Sequence, residues 1–383
     1  MDLSNTSMFV CVSASHCTSD SLSGDKDSCQ PEVLKDISIR TFLLLNIIIV
    51  IILGGGGNLL TLVAILHCRV RHRARFGHVW TGTTVLQLHL SLCDLLYCLL
   101  GLPVFISVYH HGFLPNSEAF CRSVSSLAPT SAKIRSVSRY SAMIRNLIAY
   151  SGFLTMAAIA TSRSLGCLLH RANMDSAARL ISKPLVSTLA CLAIWIIAFV
   201  ILSPITFSLT IGPYYFGTFG YDARHGKCEV INCQPSEGFF PGGFIFSVVF
   251  FVPFLLILVS HVIISFILEL ERRRKKEILQ NQSQVPFGQI QLTLLALSAA
   301  YVVFALPVLV IENVQLEEEA EMVALCAYSW YWWMYVINFI LYVTTLSDFR
   351  KMYKQFFEDL FSTKTPISSH QLSSVTSDDI SDP

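Results

Sequence analysis

Charged residues are scarce in this chain. Only 14% of its 383 residues are Asp, Glu, Lys or Arg, whereas 53% are hydrophobic and 26 are Phe. This number of charges is too small to cover the surface of a soluble protein of this length. Much of the surface must therefore face lipid. A soluble two-domain protein is therefore disfavoured.

Catalytic motifs are also missing. The sequence has no Gly-Xaa-Ser-Xaa-Gly elbow and no His-Glu-Xaa-Xaa-His pair. The glycine run 54–57 lies inside an apolar stretch, where glycine brings helices together and does not cradle phosphate. We predict that the chain is not an enzyme, and we expect no nucleic-acid partner. Its N-terminus lacks a basic start followed by an apolar core, which predicts no cleaved signal peptide.

Long apolar runs are the dominant feature. A helix that crosses a bilayer needs ~20 mostly apolar residues. Six segments meet this length plainly, and a seventh, 146–169, is interrupted by small and polar residues. Seven spans place the basic linkers on one side of the membrane. The predicted spans are 41–66, 84–108, 146–169, 185–209, 243–268, 291–311 and 323–346. The sequence therefore predicts an all-α membrane protein with a seven-helix transmembrane bundle.

The loop charges predict the orientation. The outer loop 312–322 holds five acids and no basic residue. Fifteen Lys or Arg lie in the linkers 67–78, 170–184, 271–277 and 349–354. Because positive loops stay in the cytoplasm, the N-terminus is predicted to be extracellular. The predicted parts are an extracellular tail 1–40, a membrane domain 41–361 that ends in a short amphipathic helix, and a disordered Ser/Thr-rich cytoplasmic tail 362–383.

The outer segments carry features of extracellular protein. Asn5 begins a glycosylation sequon. Disulfides persist in this compartment. The cysteines in predicted outer segments are Cys11, Cys17, Cys29, Cys121, Cys228 and Cys233.

One acid, Asp94, lies in the middle of the second apolar run. Such a residue is costly in lipid and usually faces the interior of the bundle, where it marks function. Asn58 and Asn338 lie at similar depth on two other spans. Carboxylate and amide oxygens favour a hard cation or a protonation switch. The alternative is a protonated Asp94 that hydrogen-bonds neighbouring helices.

An ordered set of residues along the spans resembles rhodopsin-class (class A) G-protein-coupled receptors. The resemblance covers roughly residues 40–361. The stretch around Asp94 resembles in particular the invertebrate orphan receptors Moody and Trapped-in-endoderm, which are relatives of the melatonin receptors. The residues that carry the resemblance are Asn58, Asp94, Trp195, Pro253, Pro307, Asn338 and Tyr342.

The resemblance implies a role for each matching residue. Asp94, Asn58 and Asn338 would form a sodium- and water-binding core, with sodium as an allosteric modulator and no other cofactor. Tyr342 would swing inward on activation, and Arg163 would engage the G protein. Pro307 would kink the sixth span, whose inner end swings outward. Cys121 would form a disulfide with Cys228 or Cys233.

The implied partners are an extracellular ligand, a heterotrimeric G protein and membrane lipid. A receptor kinase and arrestin would act on the Ser/Thr-rich tail. The implied location is the plasma membrane. The alternative is a multi-span transporter or channel that uses Asp94 as an ion site; that class would show paired charges in several spans or internal repeats.

Three positions depart from the family pattern. Ser162 precedes Arg163 where the family has an acid or Asn, so Arg163 has no neighbouring carboxylate to hold it in the resting state. Ala305 replaces the usual tryptophan of the sixth span, and Phe339 replaces the usual proline of the seventh. Because position 162 and the inner end of the sixth span both lack an acid, we expect a weakly locked resting state and raised basal signalling.

The third span begins unusually far from Cys121. Cys121 and Arg163 are 42 positions apart, well above the ~25 residues that one span of helix covers. The surplus is 125–141, which is either a genuine expansion or retained intron sequence in the gene model. We favour the second interpretation.

The outer third of the third span contains no carboxylate for an amine ligand. Arg145 lies at about that level and predicts an anionic ligand, such as a fatty acid, a lysophospholipid or a peptide carboxylate. The alternative is that Arg145 points at lipid headgroups. Trp330 and Trp333 at the start of the seventh span either line the ligand pocket or form an interfacial aromatic belt. The seventh span has no lysine to carry a retinal Schiff base, which excludes opsin chemistry.

Overall fold

The computed structural model describes residues 36–76, 80–111, 132–206, 218–222, 227–231, 241–278, 296, 299–308, 310–311 and 321–361. The predictions for Asn5, Cys121, Cys233 and the tail 362–383 fall outside these residues.

The described residues form a bundle of long helices. The helices are α1 (Ile37–Arg71), α2 (consecutive segments Gly82–Leu96, Tyr97–Gly101 and Leu102–His111), α3 (Ala132–Arg171), α4 (Pro184–Thr206), α5 (Pro241–Ile278), α6 (Ala299–Val308 in its described part), α7 (Glu321–Tyr331 and Met334–Thr345) and α8 (Ser347–Phe361). Two short helices, Arg73–Phe76 and Asp175–Ile181, lie in the linkers that follow α1 and α3. A π-helical turn, Ile51–Gly55, lies within α1, and a second one, Tyr97–Gly101, lies within α2.

Within the described residues, five helices, α1 to α5, are long and apolar enough to cross a membrane. Their outward faces are aliphatic: on α4, Leu185, Leu189 and Ile196 are all more than half exposed. A soluble protein would not expose so large an apolar surface, whereas lipid solvates it. The predicted bundle of membrane-spanning helices is therefore confirmed.

The one sheet among the described residues is a hairpin between α4 and α5. Strand β1 (Thr218–Asp222) pairs antiparallel with β2 (Lys227–Ile231), with Tyr221 opposite Cys228. The sequence analysis did not predict this hairpin. It places Cys228, one of the two cysteines proposed to pair with Cys121, in a regular strand.

Helix α3 is the longest helix and lies centrally, packed on α2, α4 and α5. It runs for 40 residues, which is ~60 Å and about twice the length of a membrane span. It begins at Ala132, so ten residues of the surplus segment 125–141 extend this helix. The predicted span 146–169 lies within the part of this helix that is apolar enough to cross a membrane, Met143–Arg171.

Glycines allow α1 to approach α2 and α7 closely. A Cβ on Gly54 would lie 3.0 Å from Cys98 Sγ and 3.2 Å from the carbonyl oxygen of Tyr335. A Cβ on Gly57 would lie 2.5 Å from the ring of Phe339. The glycine run therefore serves helix packing, as predicted.

Replacing Gly57 with alanine will destabilise the bundle by ~1–3 kcal/mol, because the added methyl group overlaps the buried side of the Phe339 ring. The matched control is Gly56→Ala, since a Cβ there meets nothing within 4 Å. Thermal unfolding of the two variants in detergent measures the difference. Equal midpoints for the two variants would contradict the packing argument.

Helix α7 is interrupted at Trp332 and Trp333, between its two segments. Trp332 is fully buried. The indole N–H of Trp333 donates to Asn46 Oδ1 on α1 at 2.9 Å. Asn46 Nδ2 in turn donates to Ser329 Oγ at 3.0 Å. The outer half of α7 is thus hydrogen-bonded to α1 around this break.

Helix α8 packs its apolar face on the inner end of α1. Phe349, Met352 and Tyr353 are buried there. The hydroxyls of Tyr353 and Thr61, on α1, are hydrogen-bonded at 2.8 Å. The predicted amphipathic helix after the seventh span is therefore present and attached to the bundle.

Candidate functional site

A buried acid links α2 to α7. The side chain of Asp94 is 2% exposed, and Asn338 Nδ2 donates to its Oδ2 at 2.7 Å. The two residues are separated by 244 positions in sequence. The structure thus brings together two of the three polar residues that the sequence analysis grouped.

The third residue, Asn58, lies on α1 and is also fully buried. Its Nδ2 donates to the carbonyl oxygen of Gly54 at 2.9 Å and to that of Tyr335 at 2.8 Å. Asn58 therefore fastens α1 to the backbone of α7, one helical turn before Asn338. Among the described residues, its Oδ1 has no hydrogen-bond partner.

Two buried oxygens without partners, on α1 and α2, add to the carboxylate of Asp94 the donor types that a hydrated monovalent cation accepts. Asn58 Oδ1 and Ser91 Oγ are buried, and no described residue donates to or accepts from either atom. Ser91 precedes Asp94 by three residues and so lies on the same face of α2. A buried polar atom without a partner costs ~1–3 kcal/mol. A carboxylate with neutral oxygens is a hard-cation donor set. Asp94, Asn58 and Ser91 would hold such an ion, whose charge would balance the carboxylate.

Two stacked tyrosines lie one turn outward of the Asp94–Asn338 pair. The rings of Tyr97 and Tyr335 are 4.1 Å apart and inclined by 15°. The hydroxyls of Tyr335 and Tyr331 are hydrogen-bonded at 2.8 Å. These aromatic side chains separate the acid from the outer half of the bundle. The sequence analysis missed them, although Tyr97 and Tyr335 are each three residues from a member of the polar pair.

Tyr342 lies on the inward side of Asn338. It is fully buried, and its ring packs against Phe349 of α8 at 5.2 Å. Its hydroxyl has no hydrogen-bond partner among the described residues. Asn338 and Tyr342 share a helical face because they are four residues apart.

Arg163 lies near the inner end of α3 and is partly buried. Ser162 Oγ donates to the carbonyl oxygen of Ile159 at 3.0 Å, within its own helix. Ser164 does the same with Thr161, also at 3.0 Å. Neither hydroxyl is therefore directed at the guanidinium, and no carboxylate of the described residues forms an ion pair with Arg163.

Trp330 of α7 contacts α6 one turn before Pro307. Proline removes the hydrogen bond to the carbonyl four residues earlier, which is that of Val303. The indole N–H of Trp330 donates to this carbonyl at 3.0 Å. Trp330 is 49% exposed on the outside of the bundle, and its ring also packs on Phe304. The structure thus gives Trp330 a role beside the predicted kink.

Arg145 faces the outer half of the bundle. Its guanidinium carbon lies 5.1 Å from the centre of the Phe105 ring on α2. Phe105 contacts Trp332 at 5.0 Å. The tryptophan grouped with Arg145 is thus Trp332, whereas Trp333 lies between α7 and α1.

Comparison with known families identifies the class of protein. The family described as 7 transmembrane receptor (rhodopsin family) matches residues 57–342. This match covers about three quarters of the chain, so the chain belongs to the rhodopsin family of seven-transmembrane receptors. A search of curated proteins found no match.

Membership in this family establishes the general function. The chain is a multi-pass membrane receptor with a G protein and an extracellular ligand as partners, and receptors of this family are not enzymes. The transporter or channel alternative is not favoured.

Proposed function

We propose that this receptor converts binding of an extracellular anionic ligand into activation of a heterotrimeric G protein, through outward movement of the inner end of α6. The hydrogen bond between Asp94 and Asn338 is the main support for the proposal that the bundle transmits a signal to the G protein. It joins α2 to α7 at the level where the tyrosine stack ends, so movement of α7 changes the surroundings of the acid.

The proposed movement of α6 is supported by the hydrogen bond from Trp330 to Val303, the residue whose carbonyl Pro307 leaves without a helical partner. The carbonyl of Val303 is freed from its own helix and is held by Trp330 instead. The inner segment of α6, which precedes the proline, can then change direction relative to the outer segment without breaking a helical hydrogen bond at that position. Arg163 at the inner end of α3 would receive the G protein once α6 moves away.

The position of Arg145 supports the ligand class. A guanidinium beside aromatic rings is stabilised by the ring faces. It also binds carboxylates and phosphates through paired hydrogen bonds. The aromatic surroundings of Phe105 and Trp332 suit an apolar chain attached to such a group. Fatty acids, lysophospholipids and peptide carboxylates share this chemistry.

Replacing Arg145 with glutamine will weaken anionic agonists ~10- to 100-fold, because a charge-assisted hydrogen bond contributes ~1.5–3 kcal/mol. Nucleotide exchange on the G protein would be measured with lysophospholipids, fatty acids and carboxylate-ended peptides. Each would be compared with its neutral counterpart, namely a monoacylglycerol, a fatty amide or a peptide amide.

The control for this prediction is Arg40→Gln, which removes a partly buried arginine at the outer start of α1. This variant should respond like the unmodified receptor at matched surface expression. Equal potency of acids and their neutral counterparts would contradict the assignment of ligand class.

The remaining features complete the proposal. The receptor would lie in the plasma membrane with Asn5 glycosylated and Cys121 paired with Cys228 or Cys233. Phosphorylation of the Ser/Thr-rich tail 362–383 by a receptor kinase would recruit arrestin. The stretch around Asp94 supports a relationship to the Moody and Trapped-in-endoderm receptors.

A further inference from the structure

Two histidines and one aspartate meet where α8 lies against the inner end of α1. His67 Nε2 lies 2.8 Å from Asp359 Oδ2, and His72 Nε2 lies 2.5 Å from the same oxygen. The ligand atoms of the three residues all lie within 4.8 Å of one another. The three side chains are 21%, 27% and 20% exposed, so the cluster is largely shielded from water.

The end of α1 explains why residues five apart converge. Two histidines at this spacing on a continuous helix would point in different directions. Helix α1 ends at Arg71, and His72 leaves it with φ −120° and ψ 38°. Its imidazole then turns back toward His67. Phe356 of α8 packs edge-on against His67 at 5.4 Å, and Phe76 packs edge-on against His72 at 6.4 Å.

Asp359 is held in place from its other side. Gln355 Nε2 donates to Asp359 Oδ1 at 2.9 Å. Gln355 Oε1 accepts from Arg75 at 2.7 Å. The side chain of Gln355 therefore links Arg75 to Asp359. The hydrogen bonds from His67, His72 and Gln355 hold the pKa of Asp359 well below its usual range. Asp359 is thus hydrogen-bonded through both of its carboxylate oxygens.

We propose that His67, His72 and Asp359 form a zinc site that fastens α8 to the inner end of α1. Two imidazole nitrogens and one carboxylate, with water as a fourth ligand, are a donor set that Zn²⁺ binds in tetrahedral geometry. Mg²⁺ and Ca²⁺ prefer shells of oxygen alone. With zinc bound at Nε2, each neutral imidazole would carry its single proton on Nδ1, so that Nε2 offers its lone pair to the metal.

Zinc can enter after shifts of roughly 1.5 Å or less between ligand atoms, which all lie within 4.8 Å of one another. Ligands at about 2.0–2.2 Å from the metal lie ~3.3 Å from one another in a tetrahedron. The two contacts to Asp359 Oδ2, at 2.8 and 2.5 Å, must therefore lengthen by less than 1 Å, roughly. His67 and His72 lie at the inner end of α1, and Asp359 lies on α8. Zinc binding therefore requires no movement of the helices that cross the membrane.

The test uses the full-length receptor in lipid nanodiscs, stripped with a chelator and titrated with ZnCl₂. The unfolding temperature should rise with Zn²⁺ and not with Mg²⁺, because a ligand of the folded state stabilises it. Co²⁺ at the same site should give a tetrahedral ligand-field spectrum without a thiolate charge-transfer band. Such a spectrum separates this cluster from the nearby Cys68.

Matched variants assign the binding to these residues. His67→Gln and His72→Gln keep an N–H that donates to Asp359 and remove the metal-binding nitrogen. Each should lower Zn²⁺ affinity at least ~100-fold, since loss of a residue that merely orients a ligand already costs 10- to 100-fold. The control is His170→Gln, which alters an exposed His–Asp pair at 2.9 Å.

Unchanged zinc affinity in His72→Gln, or equal stabilisation by Mg²⁺, would overturn the proposal. Should a histidine variant be unstable without metal, Asp359→Asn gives the same test, because its amide oxygen still accepts from the imidazoles. Retained zinc affinity in Asp359→Asn would overturn the site equally. The outcome is independent of the ligand of the receptor and of the G protein.

Discussion

Replacing Asp94 with asparagine will leave the receptor folded and abolish the dependence of its stability on sodium. The amide oxygen of the new side chain can still accept from Asn338, so the hydrogen bond at 2.7 Å is retained while the charge is lost. Without the charge, the neutral oxygens of Asn58 and Ser91 bind a cation weakly. The measurement is the unfolding temperature in NaCl against choline chloride at equal ionic strength.

A second substitution at the same position separates the hydrogen bond from the charge. Asp94→Ala leaves the buried amide of Asn338 without its acceptor, which costs ~1–3 kcal/mol. This variant should therefore unfold at a lower temperature in both salts. Asp94→Asn should match the unmodified receptor in choline chloride.

The control for loss of charge is Asp348→Asn, an exposed acid on α8 that pairs with Lys351 at 3.5 Å. It should keep the full sodium response. A sodium response of the same size in Asp94→Asn as in the unmodified receptor would remove the cation from the proposed mechanism.

Introducing an acid beside Arg163 will lower basal signalling. We expect the unmodified receptor to have basal activity because position 162 holds a serine and not an acid. The hydroxyl of Ser162 donates to its own helix, so it does not restrain Arg163. In Ser162→Asp, opposite charges in a partly buried site attract by ~1–4 kcal/mol. Since 1 kcal/mol is a factor of ~5 in a population, basal nucleotide exchange should fall at least ~5-fold. Arg163→Ala should abolish activation altogether.

The control is Ser182→Asp, which adds the same charge in the second inner linker. Ser182 Oγ likewise donates to a backbone carbonyl, that of Ala178, but the residue belongs to the linker between α3 and α4. Nucleotide exchange in membranes at matched surface expression measures all three variants. Basal exchange no higher than in mock-transfected cells would contradict the weakly locked resting state.

Much of the architecture followed from hydrophobic runs. The period and length of long lipid-facing helices can be read directly from the sequence. The basic linkers predict the orientation of these helices in the membrane. The pairing of Asp94 with Asn338 was also predictable, because an acid in a span needs a polar partner within the bundle. The helical extension that precedes the third span was not predicted, because hydropathy marks where lipid begins, not where a helix begins.

Other features depended on tertiary contacts. The break at Trp332 follows from how that buried side chain fits beside Phe105, and neither residue predicts it alone. The convergence of His67 and His72 required knowing that α1 ends at Arg71. Likewise, the hydrogen bond from the Trp330 indole to the carbonyl of Val303 depends on how α6 and α7 pack, which the sequence does not show.

The first helix is joined to the seventh and eighth at three depths. Asn46 holds the outer half of α7, Asn58 holds its middle, and Thr61 holds α8 through Tyr353. Helices α1 and α8 thus form one fixed unit, to which α7 is attached at its outer half and its middle. Rearrangements of the inner helix ends on the G-protein side then fall to the helices outside the α1–α8 pair. A spin label pair across α1 and α8 should accordingly report a fixed separation in every signalling state.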